Sequence, residues 1–105
     1  MEPRCEVLVI GELLADLISK ERVISLADAR SFTMYQGGSP ANFAVQLRKQ
    51  GVLSTVVAAV GNDGIGKFLL EQVSKIGLNT GSIAVVEGFP TSLVIVGRSH
   101  DTPDF

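Results

Sequence analysis

The chain has 105 residues, enough for one domain or a piece of one with its own core. Its net charge of −2 and scattered basic residues leave no footprint for nucleic acid, and its one cysteine, Cys5, rules out an internal disulfide. No apolar run reaches the length of a membrane span, and acidic and polar residues interrupt the start where a secretory signal would lie, so a cytoplasmic protein is expected.

Val7-Leu8-Val9-Ile10 is a continuous apolar run ending at Gly11, the pattern of a buried parallel strand. Glu12 to Asp16 follow just past its end, where α/β proteins place ligand contacts. Lys20 to Arg30 carries no clear period. Ser31 to Gln36 alternates weakly, as a half-exposed strand does. A helix is predicted from Pro40 to about Gln50, with Ser39 as its N-cap and Pro40 in the first turn. Ala41, Phe43, Ala44 and Leu47 form its apolar stripe. Arg48 and Lys49 complement the dipole at its end, and Gly51 stops it. Ser54 to Val60 reads as a second buried strand ending at Gly61. A second helix follows over Ile65 to Ile76 and stops at Gly77. Strands are predicted at Ser82–Val86 and Ser92–Val96, separated by a Gly88-Phe89-Pro90 turn. The tail from Ser99 to Phe105 is polar. Strands alternating with helices define an α/β fold. The pieces at 31–36 and 92–96 break that rhythm and are expected to form a small separate sheet over the end of the main one.

Gly37-Gly38-Ser39-Pro40-Ala41-Asn42-Phe43-Ala44 is the most suggestive stretch. Two glycines without Cβ let a backbone approach a ligand closely. The helix start offers free N–H groups, and Asn42 adds both a donor and an acceptor. Such a corner suits a polyhydroxylated or anionic small molecule, although a glycine turn before a capped helix has the same pattern. Asp16 reads either as a ligand carboxylate or as an ordinary surface acid.

Gly61-Asn62-Asp63-Gly64-Ile65-Gly66-Lys67-Phe68 has the spacing of a P-loop after a strand and before a helix. Phe68 cannot supply the hydroxyl that holds Mg²⁺, and Asp63 would place negative charge in the cradle. A tight turn with Asp63 capping the helix and Phe68 in the core is expected instead. Cys5 reads as a core or edge residue, since no histidine stands near it. His100, with only Asp101 and Asp104 around it, reads as solvated; no metal site is expected.

The chain resembles the amino-terminal part of a ribokinase-like (PfkB-type) carbohydrate kinase. Gly37-Gly38-Ser39-Pro40-Ala41-Asn42-Phe43-Ala44, followed by Gly51 and Gly61 at the expected spacing, is similar to the family's first signature. Gly11 to Asp16 resembles its first strand end, Gly61 through Asp63 and Gly66 its next strand-to-helix turn, and Thr91 to Val96 a lid strand. The Gly-Ser-Pro-Ala-Asn run resembles the fructokinase and 2-keto-3-deoxygluconate kinase branches more than ribokinase itself.

The resemblance implies an α/β sandwich with a mostly parallel, Rossmann-like sheet and a small β lid, of which residues 1–105 are a truncated part. It implies that Asp16 accepts hydrogen bonds from sugar hydroxyls, that Gly37 and Gly38 approach the ring, and that Asn42 binds another hydroxyl. Ser39 lies where some relatives carry a longer polar side chain. The implied ligand is a small sugar or sugar acid, and the lid pairs two subunits in many relatives. ATP and Mg²⁺ are implied for the parent, but none for this chain alone, which lacks the family's Gly-Ala-Gly-Asp run with its catalytic base. The chain by itself is therefore expected not to phosphorylate a sugar and, with an exposed sheet edge, to self-associate or be poorly stable. A nucleoside kinase on the same scaffold and a non-catalytic sugar-binding fragment are the alternatives.

Overall fold

A computed structural model describes residues 5–99. Strands β1 (Val7–Ile10), β4 (Ser54–Gly61) and β5 (Ile83–Val86) form a parallel sheet in the order β1-β4-β5. Strands β2 (Leu14–Arg22), β3 (Phe32–Gly37) and β6 (Leu93–Arg98) form a second sheet in the order β3-β2-β6. In this sheet β2 runs antiparallel to β3 and parallel to β6. Helices α1 (Ser39–Lys49) and α2 (Gly64–Lys75) complete the fold, with a short 3₁₀ turn at Leu26–Asp28. The polar tail beyond Ser99 and the reading of His100 lie outside the described residues.

The parallel sheet is the expected one. Val9 and Val56 pair in register and are buried with Val60 beneath the helices. From α1, Ala41, Ala44 and Val45 pack into this core; from α2, Leu69 and Val73 do so, with Phe68 partly buried against it. The alanines let α1 sit close to β1 and β4, and the Ser54 hydroxyl donates to the Ala44 carbonyl at 2.6 Å. Phe43 departs from its predicted stripe and is 56% exposed. It lies about 100° round the helix from Ala44, outside the arc that the small residues turn inward. Cys5 is exposed ahead of β1 rather than in the core. Gly51 and Gly77 end their helices at φ +87° and +94°, the left-handed conformation a helix stop needs.

The small sheet holds the two predicted pieces, at 32–37 and 93–98, but its central strand is β2, which the sequence pattern did not reveal. Its inward positions include Ala15 and Ser19, both buried. The Ser19 hydroxyl donates to the Glu21 carbonyl and accepts from the Arg98 N–H, each at 2.8 Å. A small residue and a satisfied serine stand where an apolar alternation would otherwise have marked a strand.

Candidate functional site

The end of β1, the start of β2, the end of β3 and the start of α1 meet at one corner. Close approaches at its glycines hold it together. A Cβ added to Gly11 would lie 2.7 Å from Cβ of Pro40, and one added to Gly38 would lie 2.6 Å from the carbonyl oxygen of Glu12. Gly38 also has φ +97°, which L side chains rarely adopt. Here the Gly-Gly pair has two separate reasons. Gly38 turns the chain into α1, whereas Gly37 makes room for Asp16: a Cβ on Gly37 would meet the Asp16 carboxylate.

Asp16 lies in β2 opposite Tyr35 of β3. Its carboxylate is half-buried against the Gly37 backbone and accepts no hydrogen bond from the described residues. A partly buried acceptor without a donor needs water or a ligand to satisfy it.

Ser39 is not the N-cap of α1. Gly38 holds that position, no side chain caps the first turn, and Ser39 is the first helical residue, with its side chain exposed. The positive φ at residue 38 places the reversal one residue earlier than a serine cap would. Asn42 lies in the first turn, and its backbone N–H donates to the Gly38 carbonyl at 2.8 Å. Its side-chain oxygen accepts from Nε2 of Gln36 at 2.9 Å, and the same nitrogen donates to the Gly37 carbonyl at 3.2 Å. The sequence marks Gln36 only as the end of a strand. Adjacency to Gly37-Gly38 was the one signal that could have singled it out.

A second polar cluster joins the two sheets. Asp63 caps α2 as predicted, accepting from the Gly66 N–H at 2.7 Å. It also accepts from the Thr91 hydroxyl at 2.6 Å and from the Thr91 N–H at 2.9 Å. Thr91 Oγ1 in turn accepts from the Gly61 N–H at 2.9 Å. These bonds, led by the Thr91 hydroxyl, hold the Asp63 carboxyl below the usual aspartate range. The turn with P-loop spacing is therefore occupied by its own aspartate and does not fit a phosphate. Lys67 is exposed. Among the described residues no group of three His, Cys, Asp or Glu is placed to hold a metal ion, and no helix is long and apolar enough to cross a membrane.

A parallel sheet with helices on one face, carrying a small mixed sheet over its strand ends, is the architecture of the ribokinase-like class of sugar kinases. Residues 5–103 match the pfkB family carbohydrate kinases, and the chain belongs to that family. A Pyrococcus horikoshii protein described as a sugar kinase is 43% identical over 96 residues, covering 91% of this chain and 31% of that protein. Its solved structure in complex with ATP superposes with a TM-score of 0.90 at 41% identity, over 94% of this chain and 32% of that one. The ATP-dependent 6-phosphofructokinase of Thermoanaerobacterium thermosaccharolyticum is 35% identical over 97% of this chain and 31% of its own length. The fructokinase structure from Halothermothrix orenii gives a TM-score of 0.86 at 38% identity, over 93% of this chain and 35% of that one. The chain thus spans about a third of the length of the relatives it matches.

Proposed function

We propose that this chain is the sugar-binding part of an ATP-dependent carbohydrate kinase. The whole enzyme would transfer the ATP γ-phosphoryl to a hydroxyl of a small sugar or sugar acid. The observation that carries this reading is the Asp16 carboxylate, which has no donor among the described residues and is held against a glycine at the corner where both sheets and α1 meet. An ionised carboxylate is an acceptor only, and a sugar hydroxyl is the donor it lacks. Gly37, Gly38, Ser39 and Asn42 would form the rest of the wall. Family membership and an ATP-bound relative support the kinase assignment. Among the described residues the turn with P-loop spacing is filled by Asp63 and offers no open phosphate cradle. Phosphoryl transfer rests on positioning and charge stabilisation by groups absent from this sequence, so the chain alone would hold sugar without turnover.

The test is calorimetric titration of the 105-residue chain with fructose, fructose 6-phosphate, 2-keto-3-deoxygluconate, ribose and adenosine, alongside an ATPase assay. Binding of one of the sugars, abolished in Asp16→Ala and without ATP turnover, is the expected result. No binding by any of the five overturns the sugar-site reading. Selective binding of adenosine favours the nucleoside kinase, for which exposed Tyr35, across from Asp16, and exposed Phe89 are the candidate stacking partners.

A further inference from the structure

Asparagine by itself offers a ligand either its carbonyl oxygen or its amide N–H groups. At Asn42 the neighbouring side chain decides between them. Nε2 of Gln36 lies 3.2 Å from the carbonyl oxygen of Gly37, which can only accept. The Gln36 amide cannot be turned over without setting oxygen against oxygen, so nitrogen is the atom on that side. Its second N–H points at Asn42, 2.9 Å away, and a donor there requires the Asn42 oxygen rather than its nitrogen. The Asn42 NH₂ group is thereby turned away from Gln36, and it has no acceptor among the described residues.

We infer that Gln36 is a positioning residue that locks the Asn42 amide with its N–H groups free for substrate. This rests on the sugar-site reading given above. The corner then presents complementary, non-interchangeable groups: an acceptor at Asp16 and donors at Asn42. The substrate brings an O–H to the first and an oxygen lone pair to the second, whether from a hydroxyl, a keto group or a carboxylate. A group that can only donate, such as an ammonium, is rejected at Asn42.

The test uses the 105-residue chain labelled with nitrogen-15, in Gln36→Glu and Gln36→Met forms. Glutamate has the same length but no donor: its carboxylate is repelled by the Gly37 carbonyl and can only accept from Asn42, so the Asn42 amide turns over and shows its oxygen to the ligand. Methionine leaves the amide free to rotate. The Asn42 side-chain NH₂ resonances are expected to shift and exchange more slowly with solvent in Gln36→Glu, while the backbone spectrum away from the corner is retained. Affinity for whichever sugar of the panel the unaltered chain binds is expected to fall about tenfold in Gln36→Glu and about threefold in Gln36→Met. In an Asn42→Ala background, Gln36→Met is expected to have no further effect on affinity, which a merely structural role would not produce. Unchanged Asn42 NH₂ resonances in Gln36→Glu overturn the inference whether or not a sugar binds. Unchanged affinity, or a full effect of Gln36→Met without Asn42, also overturns it while leaving the sugar site standing. Absence of all sugar binding sinks the proposed function alone, and the amide spectra still decide the role of Gln36.

Discussion

Residues 37 and 38 share a side chain of one hydrogen, and they should respond to substitution in opposite ways. An alanine methyl at 37 meets the far end of the Asp16 side chain, which can swing aside. The fold loses little, but the carboxylate leaves its place. An alanine at 38 meets the Glu12 carbonyl, which is backbone, and must adopt φ +97°. Gly37→Ala is expected to weaken sugar binding about tenfold and to shift the denaturation midpoint little. Gly38→Ala is expected to destabilise the chain by about 1–3 kcal/mol. Urea denaturation together with sugar titration of the two variants checks this; equal loss of stability in both would contradict the separate reasons assigned to them. At this scale the candidate site is legible where a backbone demand leaves a residue signature, as in the Gly-Gly pair. Position past a strand end pointed to Asp16. What the sequence could not show was the division of labour between the two glycines, the cap at Gly38 rather than Ser39, or the grip of Gln36 on Asn42. Each depends on which atoms meet across separate elements.

At the scale of elements, the joint between the β4–α2 turn and the entry to β6 is made by Asp63 and Thr91. Thr91 is buried, so Thr91→Val leaves the Gly61 N–H and the Asp63 carboxylate short of partners. A loss of about 1–3 kcal/mol is expected in denaturant titration. The same carboxylate makes the joint sensitive to acid. Its folded pKa lies below the unfolded value, so its contribution is complete above about pH 4 and is lost as pH falls through the folded value. Glu21 adds to the same trend: its carboxyl is also held low, first by its own backbone N–H and then by those of Ser31 and Arg30. Thermal melts should fall in this acid range, and Asp63→Asn should flatten part of that fall at the cost of a lower melting point at neutral pH. An unchanged acid limb in Asp63→Asn would refute the role of this carboxylate. The elements of the parallel sheet were readable because their apolar runs and stops are local. Strand β2 was not, because its charged end at Lys20–Arg22 and its inward Ser19 become strand-like only once β3 and β6 flank them.

The whole molecule is flat. Its radius of gyration is 15.2 Å and its extents are 52 × 33 × 19 Å, against about 13 Å expected for the radius of gyration of a compact domain of this length. Helices α1 and α2 cover one face of the parallel sheet. On the other face, Leu8 and Ile10 are 57% and 72% exposed, although parallel sheets are ordinarily covered on both faces. The isolated chain is therefore expected to associate in a concentration-dependent way. A Leu8→Lys, Ile10→Lys double variant should remain monomeric in sedimentation velocity at the same loading. A monomeric unaltered chain would show that this face needs no cover. The order of the small sheet also bears on how the chain is made. Strand β2 pairs with β3 across a short connection, but its other edge waits for β6, and the Ser19–Arg98 bond spans 79 positions. During synthesis the central strand of this sheet keeps one edge unpaired until nearly all of the segment has emerged. Closure of this sheet is thus a late event with high contact order, set by topology rather than by the strength of any one pair.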